Sequence, residues 1–198
     1  MKLVEFILIV LSVGVFGFQH SGLSTLKVKS RIVKRLGIKG YTRLFTATSV
    51  LALLMTIRIL NFSDWFYIFT SPNRINLTLF LPGVCLVGLG VVLVVAAEKV
   101  LDVSTVADMR SNRKNDLMMS GIYTHIRHPL YLASIMLFSG LALIYPFSKV
   151  ITFAASFCCY VLIGAYLEER KLILVYGKEY LAYKKKTGFM VPKLLKLI

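Results

Sequence analysis

Acidic residues are scarce in this 198-residue chain, which has 9 Asp and Glu against 24 Lys and Arg and a formal net charge of +15 at pH 7. All charged residues together make up 17% of the sequence, while hydrophobic residues make up 57% and the mean hydropathy is +0.74. Such a composition excludes an ordinary soluble domain and is typical of a membrane-spanning chain. In a membrane protein, a basic excess reflects lysines and arginines retained on the cytoplasmic side, so we expect membrane lipids rather than nucleic acid as partners.

Cysteine and histidine are also rare, with three residues of each. The cysteines lie inside apolar runs and lack the spacing of metal ligands, which predicts small buried side chains rather than disulfides or a metal site. They are Cys85, Cys158 and Cys159. His20 is far in sequence from His125 and His128, so the three or four ligands of a zinc site are missing. We therefore expect no metal cofactor.

Several motifs of catalysis are absent as well. The sequence contains no phosphate-binding P-loop, no glycine-rich dinucleotide turn and no Ser-His-Asp arrangement. The chain therefore offers no obvious covalent or hydrolytic machinery.

Five apolar runs predict membrane-spanning helices, because backbone polar groups in a bilayer must be satisfied within the segment. The runs cover residues 3–18, 44–60, 77–97, 129–145 and 147–167. We expect an all-α fold, with residues 1–198 forming a single membrane domain of five transmembrane helices and a cytoplasmic C-terminal helix. The first run is expected to be a retained helix rather than a signal peptide, because Gln19-His20-Ser21-Gly22 is a poor cleavage site.

The basic residues predict the orientation of these spans. Twenty of the 24 lysines and arginines fall in the loop after span one, the loop after span three or the tail. An odd number of spans places all three segments on one side, so we expect the N-terminus outside and the C-terminus in the cytoplasm. The loop after span three includes Arg110, Arg113 and Lys114, and its most polar part, residues 111–116, predicts an exposed turn.

Two further segments have a helical pattern. Residues 26–36 place apolar side chains on one arc and basic ones opposite, which predicts a short amphipathic helix on an anionic leaflet. The apolar arc is Leu26, Val28, Ile32, Val33 and Leu36, and the basic arc is Lys27, Arg31, Lys34 and Arg35. Beyond span five, apolar and aromatic residues recur at helical spacing with an interruption at Gly177, which predicts a helix packed beneath the bundle; the alternative is that its aromatic face recognises a ligand. These residues are Leu172, Val175, Tyr176, Tyr180 and Tyr183.

The chemistry is concentrated at residues 121–132, which read Gly-Ile-Tyr-Thr-His-Ile-Arg-His-Pro-Leu-Tyr-Leu. Pro129 predicts a helix start directly after Arg127 and His128. Glu168 and Glu169 end the next apolar run, and the short Tyr145-Pro146 connection predicts a hairpin that brings both clusters to one membrane face. Adjacent helical residues point about 100° apart, so at most one glutamate can face the partner helix squarely. That glutamate either binds a cation or amine or pairs with Arg127; the other possibility is that both acids lie at a solvated helix end.

These motifs resemble those of the integral membrane methyltransferases. The resemblance covers Gly-Ile-Tyr-x-x-Ile-Arg-His-Pro-Leu-Tyr-Leu at 121–132, Leu-Glu-Glu-Arg-x-Leu at 167–172 and Tyr-Gly-Lys-Glu-Tyr-Leu-Ala-Tyr at 176–183, with Pro192 near the end. The superfamily includes isoprenylcysteine carboxyl methyltransferases and phospholipid N-methyltransferases. The first half of the chain is more similar to the NnrU and methanethiol S-methyltransferase branch.

The resemblance implies S-adenosylmethionine as the cofactor, held by residues 117–192, and a lipophilic methyl acceptor such as an isoprenylcysteine carboxylate, a lipid amine or a small thiol. It implies Arg127 and Glu168 as catalytic residues. The cofactor-binding residues that it implies are Leu117, Tyr123, Arg127, His128, Pro129, Tyr131, Leu132, Glu168 and Glu169. Glutamate suits the ammonium of the cofactor, and Arg127 or the helix start suits its carboxylate.

Two alternatives fit part of the same pattern. Sterol-type membrane reductases, which use NADPH, have a similar Arg-His-Pro-x-Tyr stretch, although asparagine usually stands where this chain has Leu130. An accessory membrane protein of the NnrU type would keep the scaffold without catalysing a reaction.

Overall fold

The computed structural model describes residues 1–100 and 117–193, and these residues form helices without a β-strand. The α-helices are α1 (Leu3–Ser24), α2 (Leu26–Ile57), α3 (Tyr67–Thr70), α4 (Leu77–Glu98), α5 (Pro129–Ile144), α6 (Ser148–Tyr176) and α7 (Lys178–Lys186). Short 3₁₀ segments cover Phe62–Phe66, Pro72–Arg74 and Gly121–Thr124. The all-α prediction is thus confirmed. The predicted turn at residues 111–116 and the basic residues Arg110, Arg113, Lys114 and Lys196 lie outside the described residues.

Four of these helices, α1, α2, α4 and α6, are long and apolar enough to cross a membrane. α5 is equally apolar but has only 16 residues, a length of about 24 Å against a hydrocarbon core of about 30 Å. The predicted count of five spans and the sides of the termini therefore stay predictions. The predicted bounds of the spans agree with helix ends to within a few residues, except where α1, α2 and α6 extend further.

α2 joins two predicted elements, the amphipathic segment and the second span, in one run of helix. The run bends at Gly37, whose backbone has φ 69° and ψ 174°. Only glycine adopts this conformation without strain, because a Cβ atom would crowd the neighbouring backbone. The sequence therefore separates an amphipathic helix before Gly37 from an apolar helix after it.

The chain divides into two compact units, and the first comprises Met1–Leu86 and Phe138–Tyr160. Its core is a cluster of Ile9, Val13, Leu60, Phe153 and Phe157. Polar side chains near the end of α1 also pair within this unit: Gln19 donates to Thr48 at 2.7 Å, and His20 lies 3.1 Å from the Ser49 hydroxyl. Pairing offsets part of the cost of burying these polar groups, although Gln19 Oε1 is buried without a hydrogen-bond partner among the described residues.

The second unit comprises Val87–Leu137 and Val161–Ile198, and it contains every individually named residue of the predicted site, whereas residues 138–160 of the predicted cofactor-binding part belong to the first unit. α6 continues two turns beyond the predicted span end and carries Glu168 and Glu169 within the helix. α7 follows Gly177 and buries Tyr180 and Tyr183, as the aromatic pattern predicts. Whether residues 1–198 act as a single membrane domain stays a prediction.

Candidate active site at the start of α5

The backbone before α5 is paired with the residues that follow α7. We call residues 187–190 the strap. The Arg127 N–H donates to the Gly188 carbonyl at 2.9 Å, the His128 N–H donates to the Phe189 carbonyl at 3.1 Å, and the Gly188 N–H donates to the His125 carbonyl at 3.1 Å. The backbone N–H groups of Arg127 and His128 are thus occupied by the strap.

A buried ion pair links Arg127 to Glu169. Arg127 is 8% exposed and Glu169 is 5% exposed. The guanidinium Nε donates to Glu169 Oε1 at 2.7 Å, and Nη2 lies 2.6 Å from the same oxygen. Nη1 donates to the Lys184 carbonyl at 3.3 Å and to the Thr187 carbonyl. Arg127 therefore joins α6, the end of α7 and the strap, and the possibility that one glutamate pairs with Arg127 is realised by Glu169.

Two residues of α7 complete the shell around Glu169. The Lys184 ammonium lies 2.5 Å from Oε2, and the Tyr180 hydroxyl donates to Oε1 at 3.3 Å. Neither residue was among the predicted site residues, although Tyr180 lies within the 176–183 motif and Lys184 directly follows it. Tyr180 and Lys184 are four residues apart, which places both on one face of α7. This spacing is the feature of the sequence that could have indicated that they act together.

His128 lies beside this network with its side chain only 3% exposed. Its Nε2 atom is 3.4 Å from Glu169 Oε1 and has no aligned hydrogen bond among the described residues. The ring makes edge contacts with Phe189 and Tyr131, at centroid distances of 4.8 Å and 5.4 Å. Burial lowers the pKa of His128, although the negative charges of Glu168 and Glu169 oppose the shift. The imidazole is therefore neutral at pH 7, and its contact with Glu169 is not a salt bridge.

This pKa predicts an acid-sensitive fold. Below the ordinary histidine pKa of about 6.5, the unfolded chain binds a proton at residue 128 that the folded chain does not, so stability falls as pH falls. We expect the free energy of unfolding in detergent to decrease between pH 7 and about pH 5.5, and to decrease less for His128→Gln. Denaturant titrations at both pH values measure this, and an equal decrease in the two proteins would contradict it.

Glu168 occupies a different environment from Glu169. Its side chain is half-buried, and within the described ranges it makes no hydrogen bond or ion pair. Its negative charge nevertheless acts on His128 and, together with burial, raises the pKa of Tyr123 to about 12. Glu168 is thus a carboxylate that pairs with no cation among the described residues, and it lies close to a neutral imidazole and a protonated phenol.

The other predicted site residues surround this carboxylate or support the backbone. The ring of Tyr131 lies against Gly164, where a Cβ would be 3.3 Å from Tyr131 Cε1, one helical turn before Glu168.

The Tyr123 carbonyl accepts a 2.6 Å hydrogen bond from the Tyr183 hydroxyl. Pro129 is fully buried as the first residue of α5, whereas Leu117 and Leu132 are half-buried. The hairpin of α5 and α6 therefore brings the Arg-His-Pro stretch and the paired acids together.

Two cavities lie near these residues in the second unit. One is an open groove of about 450 Å³ along the valines of α4, ending at Lys99 and Gly121. The other, of about 350 Å³, lies between Thr124 and the α7 face that carries Glu179 and Lys186. Neither is lined by His128, Glu168 or Glu169. Lys184 contacts Glu169, and Phe189 contacts the ring of His128.

Comparisons with known proteins agree with the sequence motifs. Residues 78–179 match the family model of the phospholipid methyltransferases. The chain is 35% identical over 75 residues to the methanethiol S-methyltransferase of Pseudomonas deceptionensis, covering 37% of this chain and 27% of that protein. It is also 35% identical over 71 residues to methanethiol S-methyltransferase 1 of Bradyrhizobium diazoefficiens, covering 36% of this chain and 24% of the relative. The match thus spans about a quarter of the length of these curated relatives. No solved structure matches the chain significantly.

Proposed function

The chain belongs to the phospholipid methyltransferase family, and from this we propose that it transfers a methyl group from S-adenosylmethionine to a lipophilic acceptor at the membrane. The observation that carries the proposal is the convergence of neutral His128, the buried Arg127–Glu169 pair and Glu168, which has no ion pair within the described part of the chain, where α5 and α6 meet. An ion pair with a purely structural role would not explain a second carboxylate at the same place. It would also not explain a buried imidazole nitrogen that lacks an aligned hydrogen bond.

The charges of these residues fit an amino-acid group. Glu168 pairs with no cation in residues 1–100 and 117–193 and suits an ammonium, because a charge-assisted hydrogen bond is about twice as strong as a neutral one. The buried Nε2 atom of His128, which has no aligned partner among the described residues, offers one further hydrogen bond to a polar ligand. The residues present therefore fit the zwitterionic end of S-adenosylmethionine.

We assign the following roles to these side chains. Glu168 binds and orients the ammonium, and His128 fixes the position of the bound group through Nε2. Arg127 and Glu169 are positioning residues, since they hold the strap and α7 against α5. The chemistry that S-adenosylmethionine supplies is an activated methyl group on a sulfonium. An acceptor that arrives ionised needs no general base, so orientation and exclusion of water by the buried cluster are the protein's main contributions.

The acceptor that we propose is apolar or membrane-embedded, such as a lipid amine, an isoprenylcysteine carboxylate or a small thiol. The family name refers to phospholipids, and the relatives named above act on methanethiol. All of these acceptors partition into or across a bilayer, which suits a chain with four helices of spanning length.

Binding of S-adenosylhomocysteine to purified protein tests the proposal. We expect His128→Ala and Glu168→Ala each to weaken binding by about 10- to 100-fold, because each removes a hydrogen bond to a charged or buried group. Isothermal calorimetry measures the affinities, and thermal unfolding checks that both variants remain folded. Glu98→Ala, which removes an exposed carboxylate at the end of α4, serves as the matched control.

Incorporation of a labelled methyl group into lipid extract or into a thiol then tests the reaction. Wild-type protein that binds neither S-adenosylhomocysteine nor S-adenosylmethionine would contradict the proposal. NADPH binding in the same titration would favour the reductase alternative instead.

A further inference from the structure

We propose that Lys184 is a specificity-determining residue that binds the carboxylate of the cofactor, with Arg127 excluded from that role. This inference rests on the proposed function, since it concerns the same ligand. It assigns the ligand contact to α7 rather than to the Arg-His-Pro stretch.

The donors of Arg127 are almost fully used inside the protein. A guanidinium has five N–H donors. One donates from Nε to Glu169, two donate from Nη1 to the carbonyls of Lys184 and Thr187, and Nη2 pairs with Glu169. A ligand carboxylate would have to break these buried contacts to make a bidentate pair with Arg127. The guanidinium is therefore a structural cation of this site.

The backbone at the start of α5 is also committed. The N–H groups of Arg127 and His128 donate to the strap carbonyls, and Pro129 has no N–H to donate. A helix start commonly binds anions through its free backbone N–H groups. Residues 127–129 offer no free N–H group for this purpose. With Arg127 and these amide groups committed, a further cation of the cluster is the better candidate to bind a carboxylate.

Lys184 has the donors and the access that Arg127 lacks. Its ammonium carries three N–H donors, and within the described part of the chain only one partner, Glu169 Oε2, is bound. Its side chain is 41% exposed, whereas the side chains of Arg127 and Glu169 are 5% and 6% exposed. The ammonium can therefore bind an incoming carboxylate while Glu169 continues to hold it in place.

The local charge balance supports this assignment. Arg127 and Lys184 carry two positive charges and share one buried carboxylate, Glu169, so their cluster retains one positive charge. Glu168 provides a separate negative charge beside His128. One uncompensated cation and one unpaired carboxylate complement a zwitterion, the carboxylate on Lys184 and the ammonium on Glu168.

Other lysines are poorer candidates. Lys185 and Lys186 are exposed and follow Lys184 directly on α7, so their side chains point in other directions by about 100° and 200°. Lys171 is half-buried on α6 and makes no ion pair within the described residues. Lys171 is therefore the rival that the experiment must exclude.

Calorimetry with two ligands separates carboxylate binding from a structural role. The ligands are S-adenosylhomocysteine and its decarboxylated analogue, titrated into wild type, Lys184→Met, Lys184→Arg, Lys185→Met and Lys171→Met. We expect Lys184→Met to weaken S-adenosylhomocysteine by about 10- to 100-fold and to leave the decarboxylated analogue within about threefold of wild type. Lys184→Arg should recover most of the affinity, and the other two variants should bind both ligands as wild type does.

Each other outcome overturns the inference. Equal weakening of both ligands in Lys184→Met would mean that Lys184 only supports the fold around Glu169. Tighter binding of both would mean that its ammonium competes with the ligand for Glu169, and selective loss in Lys171→Met would move the carboxylate to α6. These results all require wild-type binding, so they are distinct from failure of the proposed function, in which the wild type binds neither ligand.

Discussion

Replacing Arg127 with methionine is expected to lower the free energy of unfolding by about 3–5 kcal/mol. The substitution removes both contacts to Glu169 Oε1 and the donors to the carbonyls of Lys184 and Thr187. It leaves Glu169, which is 5% exposed, with Lys184 as its remaining cation. A buried charge that loses its main partner costs far more than the pair contributes when intact.

Equilibrium unfolding in detergent micelles, followed by circular dichroism, measures this loss. Arg170→Met is the matched control, because Arg170 is exposed on the same helix as Glu169 and its side-chain hydrogen bond and cation–π contact are with the nearby Tyr166. We expect that control to change the free energy of unfolding by less than about 1 kcal/mol. The double variant Arg127→Met, Glu169→Met should regain part of the stability, since no buried charge is then left unpaired. Equal effects of Arg127→Met and Arg170→Met would show that the buried pair contributes no more to the free energy of unfolding than an exposed arginine does.

Replacing Gly188 with alanine is expected to destabilise the second unit by about 3 kcal/mol. A Cβ atom at this position would lie 1.8 Å from the Val191 carbonyl oxygen and 2.9 Å from the Lys193 nitrogen. Both contacts are with backbone, which cannot rotate away as a side chain can. The strap must therefore shift, and the shift disrupts the hydrogen bonds that Gly188 makes with Arg127 and His125.

The same variant should also reduce S-adenosylhomocysteine affinity by at least about tenfold, because the strap holds Phe189 against His128. Thermal unfolding and calorimetry measure the two effects. Gly88→Ala is the control within this unit, since a Cβ atom there would meet no described atom within 4 Å apart from its chain neighbours and the adjacent backbone of its own helix. Alanine within a helix is favoured over glycine by about 1 kcal/mol, so the control should be as stable as wild type or slightly more stable. A Gly188→Ala variant with wild-type stability would show that the strap is not packed as described.

These two variants differ from Glu168→Ala in what they report. Arg127 and Gly188 act through the positions of other groups, so their loss should lower stability and binding together. Glu168 is half-buried and has no ion pair among the described residues, so its loss should lower binding alone. The contrast between the two kinds of variant separates the framework of the site from the groups that touch the ligand.

The sequence was sufficient to predict the helices and the meeting of the two motifs. Long apolar runs, Pro129 and the short connection at Tyr145-Pro146 act locally, so they reveal where helices begin and end and which helices are neighbours. Even the break in α2 follows from a local feature, because Gly37 has a backbone conformation that other residues avoid. The convergence of His128 with Glu169 is a consequence of that hairpin.

Tertiary structure alone decided how the charges are shared. Glu168 and Glu169 are equivalent in the sequence, but the rotation of α6 buries Glu169 against Arg127 and leaves Glu168 unpaired within the described residues. The partners of Arg127 on the strap lie about 60 positions away, a separation at which no local pattern specifies register. Lys184 joins the site for the same reason, because α7 folds back beneath Glu169. Interactions between residues that are close in sequence determine where the helices form. The packing of segments that are distant in sequence determines which side chains pair with each other.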